Sequence, residues 1–211
     1  MKKFLLVLMI FLTIPLGLKF QEKIPEEYLK SIDYLLEKNI IKGFPDGTFK
    51  IDWAITEAEF LTLIVRCNLK YEKENINLTL FEKIKKFYNS LIQKFKSQNI
   101  NLFQDYQDKW FHPYLIEYSN ITKIKEDEIE PYLFINIYEA LYFILKASPY
   151  KGEIQDINLP LDNSEKSILI VAAVSHKYFP DKIKFREKLS RGDAILIIEK
   201  YLRSKENVTN N

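Results

Sequence analysis

Glycine is scarce in this chain, with five residues in 211, and no G-x-G-x-x-G or G-x-x-x-x-G-K-[ST] spacing occurs. That excludes the glycine-rich loops that cradle phosphates and argues against a turn-dense all-β fold. A single cysteine, Cys67, rules out an intramolecular disulfide. It lies in "FLTLIVRC" at core-like helical spacing, which fits a buried, inert thiol better than a nucleophile. Histidine is limited to His112 and His176, far apart in sequence, so no metal site is expected. Charge of one sign is lacking too. The formal net charge is +2, and setting aside Lys2, Lys3 and Lys19 leaves about −1 by the same counting. Nucleic-acid binding draws most of its affinity from phosphate neutralisation by a basic stripe, and none is present. What is abundant is apolar and aromatic: 47% hydrophobic and 14% aromatic residues, enough to exclude general disorder.

The N-terminus reads "MKKFLLVLMIFLTIPLGLKF", with two lysines, an uncharged run from Phe4 to Leu18, and then Lys19. This is the pattern of a secretory signal and is short for a membrane span, which needs about 20 apolar residues. No clean small-x-small cleavage site follows, so residues 1–19 read as a signal peptide or a short uncleaved anchor. Membrane contact is expected only in the second case. The protein is read as exported to the cell envelope or surface.

Beyond that segment the chain repeats itself. "ITEAEFLTLIVRC" from Ile55, "INIYEALYFILKA" from Ile135 and "LSRGDAILIIEKY" from Leu189 each open with an apolar residue and a helix-capping type. An acid follows three positions after the cap: Thr56 with Glu59, Asn136 with Glu139, Ser190 with Asp193. The apolar positions agree as well. Phe60, Leu63, Ile64 and Cys67 match Ala140, Phe143, Ile144 and Ala147, then Ala194, Ile197, Ile198 and Tyr201, one stripe on one helix face. Upstream, "FQE" at Phe20, "FQD" at Phe103 and "IQD" at Ile154 precede a further helical stretch in each unit. In the first of these, Tyr28, Leu29, Ile32, Leu35 and Leu36 share a face. The expected architecture is all-α: three helix-connector-helix units, each about 45 to 50 residues long.

The stretch "NIIKGFPDGTFKIDWAITEAEF" resembles the signature of the S-layer homology (SLH) family: a Gly, an Asp-Gly-Thr-Phe turn, then a Thr-Arg-Ala-Glu helix start. "FQDYQDKWFHPYLIEYSNI" is similar to the opening of such a unit, and "LSRGDAILIIEKYL" to its closing helix. The resemblance implies a pseudo-threefold bundle of SLH repeats at residues 20–68, 103–148 and 149–204, with an inserted helical segment at 69–102 and a polar tail at 205–211. It also implies a non-enzymatic anchoring module whose inter-unit grooves bind an anionic, pyruvylated secondary cell-wall polysaccharide. The residues it points to are Arg191, Gly192, Asp193, Trp53, Asp46, Gly47, Thr48 and Trp110. A planar guanidinium suits a carboxylate, helix N-termini suit anions, and tryptophan suits sugar faces. No cofactor and no metal are implied.

Each of these residues also has a purely structural reading. Phe44-Pro45-Asp46-Gly47 suits a type I turn, which makes Asp46, Gly47 and Thr48 turn residues first. Trp53 and Trp110 could be packing residues, and Arg191 a solvated first-turn residue. The family's arginine after the cap is present only as Arg191; Glu57 and Ile137 stand in the other two units, and Glu57 would repel an anion. This favours the alternative of an envelope scaffold whose grooves, or whose insert helix, bind another protein. Leu78, Phe81, Ile84, Tyr88, Leu91 and Phe95 predict that helix, at 78–95, as a bundle-packing element or a seam for a second copy. Asp105, Asp108, Glu126, Asp127 and Glu128 could be imagined as an acid/base pair, but read more simply as solvated connector charges.

Overall fold

A computed structural model describes residues 22–71, 104–148, 154, 157, 159–181, 183 and 185–209. The expected signal or anchor at 1–19 and the expected 78–95 helix lie outside the described residues. Six α-helices carry the fold: α1 (Glu26–Glu37), α2 (Glu57–Tyr71), α3 (His112–Thr122), α4 (Ile137–Ala147), α5 (Asn163–Ser175) and α6 (Arg191–Thr209). Short 3₁₀ turns occupy Gln104–Tyr106 and Glu126–Glu128. Among the described residues, pairing of extended backbone is limited to two isolated antiparallel bridges, Ala54 with Ser190 and Thr56 with Phe134. The all-α expectation holds. No helix among the described residues is long and apolar enough to cross a membrane.

The three capped helices begin as their sequences predict. Glu59 accepts from the Thr56 amide at 3.0 Å while the Glu59 amide donates to Thr56 Oγ1 at 3.4 Å. Asn136 and Glu139 form the same reciprocal box, and Ser190 Oγ accepts from the Asp193 amide at 3.1 Å. Each box satisfies N–H groups that the first helical turn leaves without partners, worth about 0.5–2 kcal/mol apiece. The stripe behind the caps is the core: of its twelve positions only Leu63 is not fully buried. A fourth box, Asp162 with Glu165, opens α5.

The apolar residues just before the caps meet at one point. The Ile55 amide donates to the Leu189 carbonyl at 3.0 Å, the Leu189 amide to Ile135 at 2.7 Å, and the Ile135 amide to Ile55 at 3.3 Å. These three bonds close a ring, and all three side chains are buried. Helix packing follows the same cycle. The most extensive helix contacts are α2 on α3, α4 on α5, and α6 on α1. Each capped helix therefore packs most extensively against the leading helix of the next segment.

One expectation changes in this packing. Leu29 and Leu36 are exposed, because α1 meets α6 through Tyr28, Ser31, Ile32 and Leu35 instead. Ser31 Oγ donates to Glu199 Oε2 at 2.6 Å, so a polar residue takes a place on the packed face. Residues 205–209 of the expected polar tail continue α6, which runs to Thr209. Lys38 pairs with Glu206 at 2.6 Å and Arg203 lies 3.8 Å from the Tyr34 ring centre, which fastens the end of α6 to α1.

Candidate functional site

At the start of α6 the chain folds onto the connector of the first segment. The Arg191 amide donates to the Trp53 carbonyl at 2.7 Å and the Gly192 amide to Ile51 at 2.9 Å. The connector is held rigid from the other side by Glu22, the acid of the first upstream triplet. Its carboxylate accepts from the amides of Phe49, Lys50 and Ile51. Glu22 thus has a structural task that spacing alone did not show.

This junction lies where the resemblance implies a first groove, and it brings two cations, Arg191 and Lys50, beside the Phe44 ring. Arg191 Nη1 donates to Glu59 Oε1 at 2.6 Å, Nε donates to the Phe49 carbonyl at 3.3 Å, and the guanidinium carbon lies 4.9 Å from the Phe44 ring centre. Nη2 has no partner among the described residues. Lys50 Nζ lies 5.0 Å from the Trp53 ring centre and 5.9 Å from that of Phe44. Trp53 is 62% exposed, an open aromatic face beside two cations. Cations stacked on aromatic faces leave the ring edges and remaining N–H donors for a ligand.

The other expected site residues fall into different places. Gly47 takes φ +82° after the turn closed by its amide on the Phe44 carbonyl at 2.8 Å, a conformation that favours glycine. Asp46 accepts from the Thr48 amide at 3.0 Å and hydroxyl at 2.6 Å and pairs with Lys50 at 2.7 Å. The Lys50 ammonium, followed by Thr48, holds the Asp46 carboxyl well below the usual carboxylate range. Asp46 and Thr48 therefore position Lys50 and order the turn. Asp193 is 1% exposed and faces inward, accepting from the Tyr28 hydroxyl at 3.2 Å. Gly192 lies against the same ring, where an added Cβ would meet Tyr28 at 2.9 Å. Both build the junction from behind. Trp110 is exposed, but its ring neighbours are Phe111 and Tyr114, and no described contact joins it to the Arg191 cluster. Lys50 was missed in the sequence; its place between a turn acid and a tryptophan was the available signal.

The start of α2 makes the same junction with the next connector. The Glu57 amide donates to the Leu133 carbonyl at 2.9 Å and the Ala58 amide to Pro131 at 3.1 Å. Glu57 thus stands where Arg191 stands, and Glu139 stands where Glu59 stands. This second groove is a cavity of about 350 Å³ lined by Glu57, Asp127, Glu128, Glu130, Glu139 and a set of apolar groups. Burial, then the neighbouring charges of Glu139 and Glu130, push the Glu57 carboxyl up to about 8, against the effect of a hydrogen bond from the Glu130 backbone. At the third junction α4 opens with buried Ile137. Among the described residues no group of His, Cys, Asp and Glu is arranged to hold a metal ion. Cys67 is buried, and burial pushes its thiol up to about 12, as an inert core residue requires.

Residues 21–61 match the family model of the S-layer homology domain. A search of curated proteins found no match. The matched span includes α1, the Glu22 clamp, the turn at Gly47, Trp53 and the Thr56 cap. Domains of this family are non-catalytic modules that anchor proteins to the cell wall or envelope. Over residues 21–61 the chain is therefore similar to the S-layer homology domain, a family of cell-envelope anchoring modules.

Proposed function

We propose that the protein is a non-enzymatic anchor that binds an anionic, pyruvylated secondary cell-wall polysaccharide through the first groove. One observation carries this reading: Arg191 and Lys50 flank the Phe44 ring beside the exposed indole of Trp53. A ligand carboxylate reaches Nη2 of Arg191 and the Lys50 ammonium, while the sugar's apolar face packs on Trp53. Two of the guanidinium's nitrogens are already engaged by Glu59 and Phe49. A single site of this kind is weak, and retention comes from many repeats along the polymer. The N-terminal segment fits export to the surface where that polymer resides.

The test is co-sedimentation of the protein with purified walls, before and after chemical removal of the secondary polymer. Binding lost with the polymer, and reduced at least about tenfold in Arg191→Ala and in Trp53→Ala, is the expected result. Sedimentation that survives removal of the polymer would overturn the reading.

A second reading, an envelope scaffold that binds protein, has its own support in α5. Ile168, Val171 and Val174 are all exposed on that helix. Binding to walls lost on removal of protein rather than polymer would favour it.

A further inference from the structure

The three leading helices end on one shared landmark. Asn39 after α1, Lys123 after α3 and Lys177 after α5 take a left-handed φ of 59°, 64° and 61°, and a buried residue follows each. Nine, six and three positions before that landmark, α1 carries Lys30, Asp33 and Leu36, all exposed. The same positions on α3 are Tyr114, Glu117 and Asn120, of which the first two are buried. On α5 they are Ile168, Val171 and Val174, exposed by 41%, 66% and 56%. So α5 turns apolar side chains to solvent where α1 turns two charged ones.

The helix is apolar on both sides. Leu169, Ala172 and Ala173 are buried, and α5 packs on α4. The outer face runs Ser167, Ile168, Val171, Val174 and Ser175, and no Lys, Arg, Asp or Glu stands between Lys166 and Lys177. Helices that are apolar all round are covered on all sides. The two serines are prepared for cover as well. Ser167 Oγ donates to the Asn163 carbonyl at 3.0 Å and Ser175 Oγ to the Val171 carbonyl at 2.7 Å. With their donors used inside the helix, both can leave water without an orphaned O–H.

The order of residues on this face selects the occupant. It reads alike from both ends about Val171, with Ile168 and Val174 three positions away and Ser167 and Ser175 four. An antiparallel copy, related by a twofold axis at Val171, sets apolar against apolar and hydroxyl against hydroxyl. It also lays the end carrying Asp162 and Glu165 beside the copy's basic end at Lys177, which complements both charges and helix dipoles. A parallel pairing places like ends together.

We propose that the outer face of α5 is the seam of an antiparallel homodimer, with Val171 on its twofold axis. Five residues a side fall well short of the roughly 20–30 of a standard interface, so the pair is weak and forms where chains are concentrated. Two chains joined in this way carry two of each groove, so a repeating polymer can be held at two points. The pairing gives the α5 face of the scaffold reading a specific occupant. It does not rest on the wall-polymer reading, and no wall enters its test.

The test is disulfide trapping in the full chain under mild copper–phenanthroline oxidation; the native Cys67 is buried and stays out of reach. Val171→Cys is expected to give a linked dimer at least about tenfold faster than Asp33→Cys, the same place on α1. Adding Val174→Lys to Val171→Cys puts a charge in the seam and should slow trapping severalfold. Ser167→Cys mixed with Ser175→Cys should link to each other in preference to themselves, read by mass spectrometry. All these positions are exposed, and circular dichroism checks that each variant folds. Association through the apolar N-terminal segment would act on both single-cysteine variants alike, so equal trapping at 171 and 33 overturns the proposal. Trapping indifferent to Val174→Lys overturns it too. A preference of Ser167→Cys and Ser175→Cys for self-linked dimers overturns the antiparallel arrangement.

Discussion

The two grooves differ by very little backbone and by almost all of their electrostatics. In the first, α6 enters with Arg191 and meets Glu59 at 2.6 Å, an attractive pair whose two side chains are only partly exposed. In the second, α2 enters with Glu57 and meets Glu139 and Glu130, and the repulsion helps push the Glu57 proton affinity up. The entering amides bond the connector in the same way in both, 2.7 and 2.9 Å in one, 2.9 and 3.1 Å in the other. Backbone geometry is thus maintained by the caps and by the Ile55–Leu189–Ile135 ring, and the groove side chains are left free to specify a ligand. The shared backbone frame therefore does not depend on the sign of the charge that enters it.

The largest expected effect separates the grooves by pH. Burial, helped by Glu139 and Glu130, pushes the Glu57 carboxyl from the ordinary carboxyl range up to about 8 in the folded protein. Below the unfolded value both states are protonated and the group is neutral to stability. As pH rises further the unfolded chain releases the proton first, so stability falls until the folded group also ionises near 8. Each unit of separation corresponds to about 1.4 kcal/mol, so the loss is on the order of a few kcal/mol. Denaturant melts between pH 5 and 9 should show this decline in the native protein and a much flatter profile in Glu57→Gln. An equal decline in both would remove Glu57 as its source.

A smaller effect tests the junction from behind. Gly192 and Ala58 hold the same place in the two grooves, and Gly192 has the Tyr28 ring against it. The Tyr28 ring is buried and tied to Asp193, so it cannot swing aside for a methyl group. Gly192→Ala should cost about 1–3 kcal/mol by overpacking, read as a lowered melting temperature. Ala58→Gly leaves the second junction's packing intact and should cost at most about 1 kcal/mol, the propensity difference. Equal losses in the two variants would mean that the ring does not set the requirement for glycine.

Much of this was legible in the sequence because it is local. Thr56 with Glu59 and Asn136 with Glu139 are signals spanning one helical turn, and the apolar stripe repeats every three or four residues. The groove chemistry was not, because its partners are distant. Arg191 meets Glu59 across 132 positions, and Tyr28 reaches Asp193 across 165. The family resemblance pointed to Asp193 as a groove residue, whereas burial turns it inward. Leu29 and Leu36 fit the helical period of α1 but lie beside the face that α6 covers. The Glu22 clamp was visible only as a recurring acid without a task. Glu57 was noticed as a residue hostile to an anion; its position among four other acids needed the fold.

The smallest expected effect sharpens the comparison at Arg191 itself. Glu59 serves two partners: Oε2 accepts from the Thr56 amide in the helix cap, and Oε1 accepts from Arg191. Replacing Arg191 with lysine keeps the charge but removes the planar fork that spans Glu59, Phe49 and the Phe44 ring. The pair is partly exposed, so the stability cost should be no more than about 0.5–1 kcal/mol. Wall binding should fall more than stability does, because a lysine ammonium paired with Glu59 has no second nitrogen to offer a ligand. A variant that keeps both stability and binding would show that positive charge alone suffices in the first groove. The second groove would then be convertible by Glu57→Lys, a change that places a cation beside Glu139 on an already matching backbone.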